Sequence, residues 1–139
     1  MGTRADFYIG KSIDMRWIGS IAWDGAPYGI DKAVLESKTE ESFLEGVDFF
    51  LKSREDATLP EQGWPWPWQN SQLTDFVYAF DKGKVSAACF GVGWFDPLET
   101  NMEITANDEE KIDFPDMSDI QKVDFGARSG IIIFKKEIT

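Results

Sequence analysis

Residues 74–95, TDFVYAFDKGKVSAACFGVGWF, contain the pattern that decides the predicted fold class. Two stretches rich in aromatic, β-branched and small apolar residues flank the tripeptide DKG at 81–83, and short hairpin loops favour a glycine in such a position. In the first stretch Phe76, Tyr78 and Phe80 alternate with other residues, so they fall on one face of a strand. The segment therefore predicts an antiparallel β-hairpin.

An amphipathic helix is predicted at residues 39–54. Its apolar residues recur at helical spacing and form one face: Phe43, Leu44, Val47, Phe50 and Leu51. Two N-caps are compatible with the sequence, because Ser37 stands three residues before Glu40, as in a capping box, and Thr39 is the alternative cap. A shorter helical turn is predicted at 31–36.

These elements predict one α+β domain over residues 1–139, with a mostly antiparallel sheet of about five strands and the main helix packed on one face. The predicted strands are 4–10, 15–23, 74–80, 84–95 and 130–136. Within the second strand we expect Met15, Trp17, Ile21 and Trp23 to share one face. Hydrophobic residues make up 42% of the chain, which is typical of a folded domain rather than a disordered one.

The Trp-Pro segment, residues 63–68 with the sequence GWPWPW, is the most distinctive part of the chain. Alternating prolines exclude a regular helix or a central strand and favour extended backbone. Three interpretations are open for Trp64, Trp66 and Trp68. They fold back over the sheet as a lid, or some of them stay exposed and contact a partner, since tryptophan is enriched at binding hot spots. The third is a stacking site for a sugar or a base, which the lack of surplus positive charge disfavours for nucleic acid.

Charge points to the kind of partner. The net charge is −11, from 25 acidic and 14 basic residues, and nine of the acids fall in 96–119, where Lys111 is the only base. Such a chain repels nucleic acid and anionic membranes, so we expect a protein partner with a basic surface and no direct nucleic-acid or membrane binding. The candidate contact residues in this segment are Glu99, Glu103, Asp108, Glu109, Glu110 and Asp113.

The sequence lacks the residues on which most catalytic and metal sites depend. It has no histidine, which removes the usual general base and zinc ligand, and its one cysteine, Cys89, stands among small apolar residues typical of a buried structural thiol. It contains no phosphate-binding loop of the GxxxxGK[ST] or GxGxxG type. We therefore predict no catalytic residues, no metal and no cofactor, and favour binding over catalysis.

One alternative from a different functional class stays open. A small enzyme or ligand-binding domain would have its pocket under the Trp-Pro segment. Arg16 or Arg128 would anchor an anion there, because a guanidinium holds a carboxylate or phosphate through two parallel hydrogen bonds. Asp24 or Asp75 would then act as acid or base.

The segments MGTRADFY, GSIAWDG, GWPWPW, TDFVYAFD, FPDM and GARSG together resemble a small family of uncharacterised phage-borne and bacterial proteins. The resemblance implies a phage or mobile-element context and supplies no activity, cofactor or site residue. Combined with the charge, it favours an acidic inhibitor that mimics nucleic acid and occupies a basic, nucleic-acid-binding surface of a partner. A cytoplasmic location is expected, because MGTRADFYIGKS lacks the apolar core of a signal peptide. The oligomeric state is not predicted.

Overall fold

The computed structural model describes residues 3–11, 15–90, 92–98, 112 and 114–117. A six-stranded sheet in the order β3-β2-β1-β4-β5-β6 organises this part of the chain. Its strands are β1 (Ala5–Ile9), β2 (Arg16–Ile21), β3 (Ala57–Thr58), β4 (Phe76–Asp81), β5 (Lys84–Cys89) and β6 (Val92–Phe95). The β1–β4 pair is parallel and the other neighbours are antiparallel. The predicted α+β class is confirmed, with a mixed sheet. The predicted strand 130–136 lies outside the described residues.

Two helices follow β2: α1 (Lys32–Leu35) and α2 (Glu40–Lys52). Thr39 caps α2, because its Oγ1 accepts a hydrogen bond from the Ser42 backbone N–H at 3.1 Å while Ser42 Oγ accepts one from the Thr39 N–H at 3.4 Å. The Ser37 cap is therefore wrong, and Ser37 Oγ instead donates to the carbonyl of Ala33 at 3.0 Å. Among the described residues, no helix is long and apolar enough to cross a membrane.

The helices cover one face of the sheet with a continuous apolar core. Phe7 of β1 stacks on Tyr78 of β4 at 5.5 Å between ring centroids and meets Phe50 of α2 edge-on at 6.3 Å. Phe43 of α2 stacks on Phe80 of β4 at 5.6 Å. These contacts join the helix predicted from periodicity to the predicted aromatic face of β4, as expected from apolar faces that must be buried against each other.

The opposite face of the sheet is also covered, as in the interpretation of the Trp-Pro segment as a lid. Its cover consists of the Trp-Pro segment together with Ile112, Phe114 and Met117. Val77 and Ala79, on the side of β4 away from the helices, are fully buried beneath this layer. The central strands β1 and β4 therefore lie between two apolar layers.

The predicted face of β2 is wrong, because the strand contains a β-bulge. Phe7 pairs with Gly19 while the next residue, Tyr8, pairs with Trp17, so Ile18 is the extra residue. A bulge shifts the side-chain alternation by one position. Ile21 therefore packs under the helices while Met15 and Trp17 face the Trp-Pro layer, and Trp23, beyond the strand, is exposed.

The β4–β5 hairpin is confirmed, but the single strand predicted at 84–95 is wrong. Lys82 and Gly83, with φ of 51° and 81°, make the tight turn, as expected for a two-residue hairpin loop. At the other end of β5 the chain reverses after Cys89, which pairs with Val92 of β6. Phe90 sits at this reversal with φ of 51° and an exposed side chain, so it lies outside the core.

Gly19 offers a test of the bulge. It has φ of +145°, and a Cβ there would lie 2.3 Å from Leu51 Cδ1. We expect Gly19→Ala to lower the free energy of unfolding by about 1–3 kcal/mol in urea denaturation, because alanine is strained at this φ and the Leu51 side chain would have to shift.

Gly46→Ala is the matched control. A Cβ at this helical position would lie 3.4 Å from Val34 Cγ2, and alanine favours helix by about 1 kcal/mol over glycine. We expect it to be neutral or stabilising. Equal losses in both variants would contradict a specific close approach at Gly19.

Candidate functional site

The Trp-Pro segment folds onto the sheet as a lid. Trp64 and Trp66 are buried, and Trp64 meets Trp17 of β2 edge-on at 5.2 Å. Trp64 Nε1 donates a hydrogen bond to the carbonyl of Trp68 at 2.7 Å, which closes the segment on itself. Trp68 stacks on Trp66 at 5.6 Å and is partly exposed. Of the three predicted contact residues in this segment, only Trp68 offers surface to a partner.

Beneath the lid lies the carboxylate of Asp6, in the middle of β1. The residue is 0% exposed. Its Oδ1 accepts hydrogen bonds from Ser20 Oγ at 2.5 Å and from Trp66 Nε1 at 2.7 Å, and its Oδ2 accepts one from Ser71 Oγ at 2.7 Å. These donors come from β2, from the Trp-Pro segment and from the 3₁₀ turn Ser71–Leu73. Asp6 thus joins three separate segments of the chain.

Two further donors extend these contacts into what we call the Asp6 network. Trp17 Nε1 donates to Ser20 Oγ at 2.9 Å. The Tyr8 hydroxyl lies 2.7 Å from Ser71 Oγ, and because Ser71 directs its proton to Asp6, Tyr8 is the donor in that pair. The two chains of donors both end on the carboxylate, so the network matches the acceptor capacity of an ionised aspartate.

Burial and hydrogen bonding have opposite effects on the pKa of Asp6. It raises the pKa of Asp6, while hydrogen bonds from Ser20, Trp66, Ser71 and Thr74 lower it, and the net result is a pKa above its usual value. Burial, followed by the charge of Asp6, likewise raises the pKa of Tyr8 well above its ordinary range. Tyr8 therefore stays protonated as a donor at neutral pH.

The Asp6 network fills the space in which the alternative hypothesis placed a pocket. The carboxylate beneath Trp66 is closed to solvent and bonded to that ring. The two acids proposed there as acid or base are engaged elsewhere. Asp24 pairs with Arg54 at 3.1 Å, and Asp75 Oδ2 accepts from the Arg4 backbone N–H at 2.8 Å. In this arrangement the hydrogen bonds to Asp6 hold the Trp-Pro segment against the sheet.

Cys89 is half-buried at the end of β5. Burial, and then the nearby charge of Asp75, raises the pKa of its thiol, so the thiol is protonated at neutral pH. The interpretation of Cys89 as a structural residue rather than a nucleophile agrees with this environment.

The rim of the lid carries a cation on an aromatic surface. The Arg4 guanidinium carbon lies 5.7 Å from the Trp66 ring centroid and 5.2 Å from that of Trp68. Arg4 Nη1 is 3.7 Å from Asp75 Oδ2, so a carboxylate partly balances its charge. The rim thus combines the exposed part of Trp68 with a guanidinium that already has a partner.

The helix side of the molecule carries exposed carboxylates. Glu41, Glu45 and Asp48, here called the acidic row, are all exposed on α2. Their spacing of four and then three residues places them on one side of the helix. Among the ion pairs between described residues, α2 takes part in one, Asp48 with Lys52 at 3.2 Å.

The remaining predicted site residues are not brought together by the described structure. Arg16 is exposed at the start of β2. The others lie outside the described residues: Glu99, Glu103, Asp108, Glu109, Glu110, Asp113 and Arg128. Their proposed contacts therefore stay predictions. In the described part of the chain, no group of three or more histidine, cysteine, aspartate or glutamate side chains is placed to hold a metal ion.

No protein-family model matches the chain, and comparisons with curated proteins and with solved structures find no match either.

Sequence reasoning missed Asp6 and its donors. A charged residue at the centre of the apolar strand RADFYIG was a detectable signal, because buried aspartates require partners. Trp66 and Ser71 stand 60 and 65 residues further along the chain, and no local pattern relates them to Asp6.

The raised pKa of Asp6 predicts a pH-dependent stability. The unfolded chain releases the Asp6 proton near pH 4 and the folded chain only at higher pH. Between these two pKa values the folded state binds more protons, so the free energy of unfolding falls as pH rises. The contribution is about 1.4 kcal/mol for each unit by which the pKa is raised.

Asp6→Asn isolates this effect, because asparagine does not titrate. We expect the stability of the wild type relative to Asp6→Asn to decline from about pH 4 up to the folded pKa and then to level off. Urea denaturation of both proteins at a series of pH values measures it. Parallel curves across that range would show that Asp6 has the same pKa in both states.

Proposed function

We propose that this chain is a non-enzymatic acidic binding protein of phage or mobile-element context, acting in the cytoplasm. In this proposal it inhibits a partner by occupying the partner's basic, nucleic-acid-binding surface. The observation that carries the proposal is the net charge of −11, together with the exposure of its carboxylates in the acidic row. A protein with this charge is a natural complement to a basic surface and a competitor of nucleic acid for it.

The geometry of the acidic row suits a surface that normally holds a phosphate backbone. At a rise of 1.5 Å per residue, its first and last members are separated by about 10 Å along α2. Because α2 is fixed to the sheet through buried Phe43, Val47 and Phe50, the carboxylates stand on a rigid support. Rigid placement reduces the entropy lost on binding.

Two other parts of the chain contribute to the proposed contact. The acids from Glu99 to Asp113 would add negative charge, and Trp68 would add aromatic surface at the rim of the lid. A related form of the proposal is an accessory subunit of a larger assembly that uses the Trp-Pro segment as its contact. The partial exposure of Trp68, beside the buried Trp64 and Trp66, supports this form of the proposal.

Competition with DNA tests the proposal. The immobilised protein is incubated with a cell lysate at low salt, and duplex DNA is then added. We expect a basic protein to be retained and to be released by DNA, because both ligands require the same surface. High salt should release it as well. Retained proteins that stay bound while they also bind DNA would contradict the proposal.

Charge reversal then locates the contact. We expect Glu41→Lys/Glu45→Lys to weaken binding of the retained protein about tenfold or more, equivalent to about 1.4 kcal/mol. The matched control is Glu36→Lys/Asp81→Lys, which reverses the same number of acids beside the β4–β5 turn rather than on α2. Titration calorimetry at two salt concentrations compares them. An equal loss in both variants would assign the effect to net charge rather than to α2.

A further inference from the structure

Three large aromatic side chains are exposed on the helix side of the molecule. Tyr28 is 93% exposed, Phe49 73% and Trp23 53%. Single exposed apolar residues are common and require no explanation, whereas a group at one place on the surface marks a contact site. The question is therefore whether these three residues lie together.

Arg54 links the segments that carry them. It follows α2, and its Nη2 donates to the carbonyl of Trp23 at 3.2 Å and to Asp24 Oδ2 at 3.1 Å. Phe49 lies one turn earlier, since its carbonyl accepts from the Ser53 N–H at 3.2 Å.

Tyr28 is tied to the same place through its neighbour Gly29. A Cβ on Gly29 would lie 2.2 Å from the carbonyl oxygen of Asp24. The three rings therefore stand on chain segments that meet around Arg54, and we call this surface the aromatic end.

The chain segments of the aromatic end carry more acids than bases. The Arg54 guanidinium is shared by two carboxylates, Asp24 at 3.1 Å and Asp56 at 2.7 Å. Burial opposes ionisation of Asp56, but hydrogen bonds from Arg54 and from the Trp23 N–H outweigh it and lower its pKa, so Asp56 is ionised at neutral pH. The exposed acids nearest in sequence to the aromatic end are Asp31, Glu45, Asp48 and Glu55, and its lysines are Lys32 and Lys52.

We propose that the aromatic end binds arginine side chains of the partner, each guanidinium lying on an exposed ring and pairing with a neighbouring carboxylate. This inference rests on the proposed function and names the chemistry that its partner presents. A planar guanidinium stacks on aromatic rings and forms bidentate hydrogen bonds with carboxylates, whereas a lysine ammonium is a compact and strongly hydrated point charge. Exposed rings interspersed with acids therefore select arginine over lysine.

The same combination occurs twice within the molecule. Arg4 lies over Trp66 and Trp68 with Asp75 as its carboxylate. Arg54 lies 5.3 Å from the Phe50 ring centroid with Asp56 as its carboxylate. At the aromatic end the rings are exposed, as are the acids Asp31, Glu45, Asp48 and Glu55, so the guanidinium would come from the partner.

The test compares two peptides of equal charge, nona-arginine and nona-lysine, binding to the full chain in titration calorimetry. We expect nona-arginine to bind at least about fivefold more tightly, the effect of roughly one exposed cation–π contact. In Trp23→Ala/Tyr28→Ala/Phe49→Ala the two peptides should bind equally. Leu73→Ala removes an exposed apolar side chain from a different segment and should preserve the preference. Circular dichroism and thermal unfolding verify that the variants are folded.

The outcomes separate this inference from the proposed function. A preference for nona-arginine that is lost in the triple variant and kept in Leu73→Ala supports the aromatic end. Equal binding of both peptides to the wild type, weakened by Glu41→Lys/Glu45→Lys, overturns the inference and leaves the acidic binding function intact. No binding of either peptide at low salt overturns both.

Discussion

The buried carboxylate of Asp6 is the constraint on which the arrangement of the second face depends. An ionised group withdrawn from water costs several kcal/mol unless hydrogen bonds replace its hydration. Here β2, the Trp-Pro segment and the 3₁₀ turn before β4 each supply a donor. Because none of these segments satisfies both oxygens alone, all three must be in place together. The result is a specific position for the Trp-Pro segment, which apolar contact alone would not define.

The bulge in β2 is what makes this network possible. In a regular strand Trp17 and Ser20, three residues apart, would face opposite sides of the sheet. The extra residue at Ile18 brings both to the Asp6 side, where Trp17 Nε1 donates to Ser20 Oγ. The same bulge brings Gly19 close to Leu51 on the other face. The one bulge therefore determines side-chain contacts on both faces of the sheet.

Local patterns were enough to predict the α2 helix and the β4–β5 hairpin with a glycine in its turn, whereas they left Ser37 and Thr39 both open as the cap of α2. Each depends on residues within a few positions of one another. The predictions were wrong where distant residues or backbone geometry determine the structure. Periodicity placed Trp17 on the same face as Ile21, and this was wrong because the bulge shifts the alternation of side chains. The apolar run 84–95 predicted one strand, because such a run does not reveal that the chain reverses at Phe90. The Asp6 network joins Asp6 to residues 60 and 65 positions further along the chain, so its strand was predictable but these partners were not.

The two faces of the sheet are covered by layers that differ in how they treat their aromatic side chains. The Trp-Pro segment resembles a binding hot spot in composition, yet two of its tryptophans are buried, and one of these donates a hydrogen bond to Asp6. The helix side has the opposite character, since its charges and three large aromatic side chains face solvent. Folding stability gains nothing from exposing Tyr28 and Phe49, whereas binding gains from rings that lose few degrees of freedom on contact. The proposed contact with a basic partner depends on these exposed rings and carboxylates of the helix side, while the Trp-Pro layer covers the opposite face.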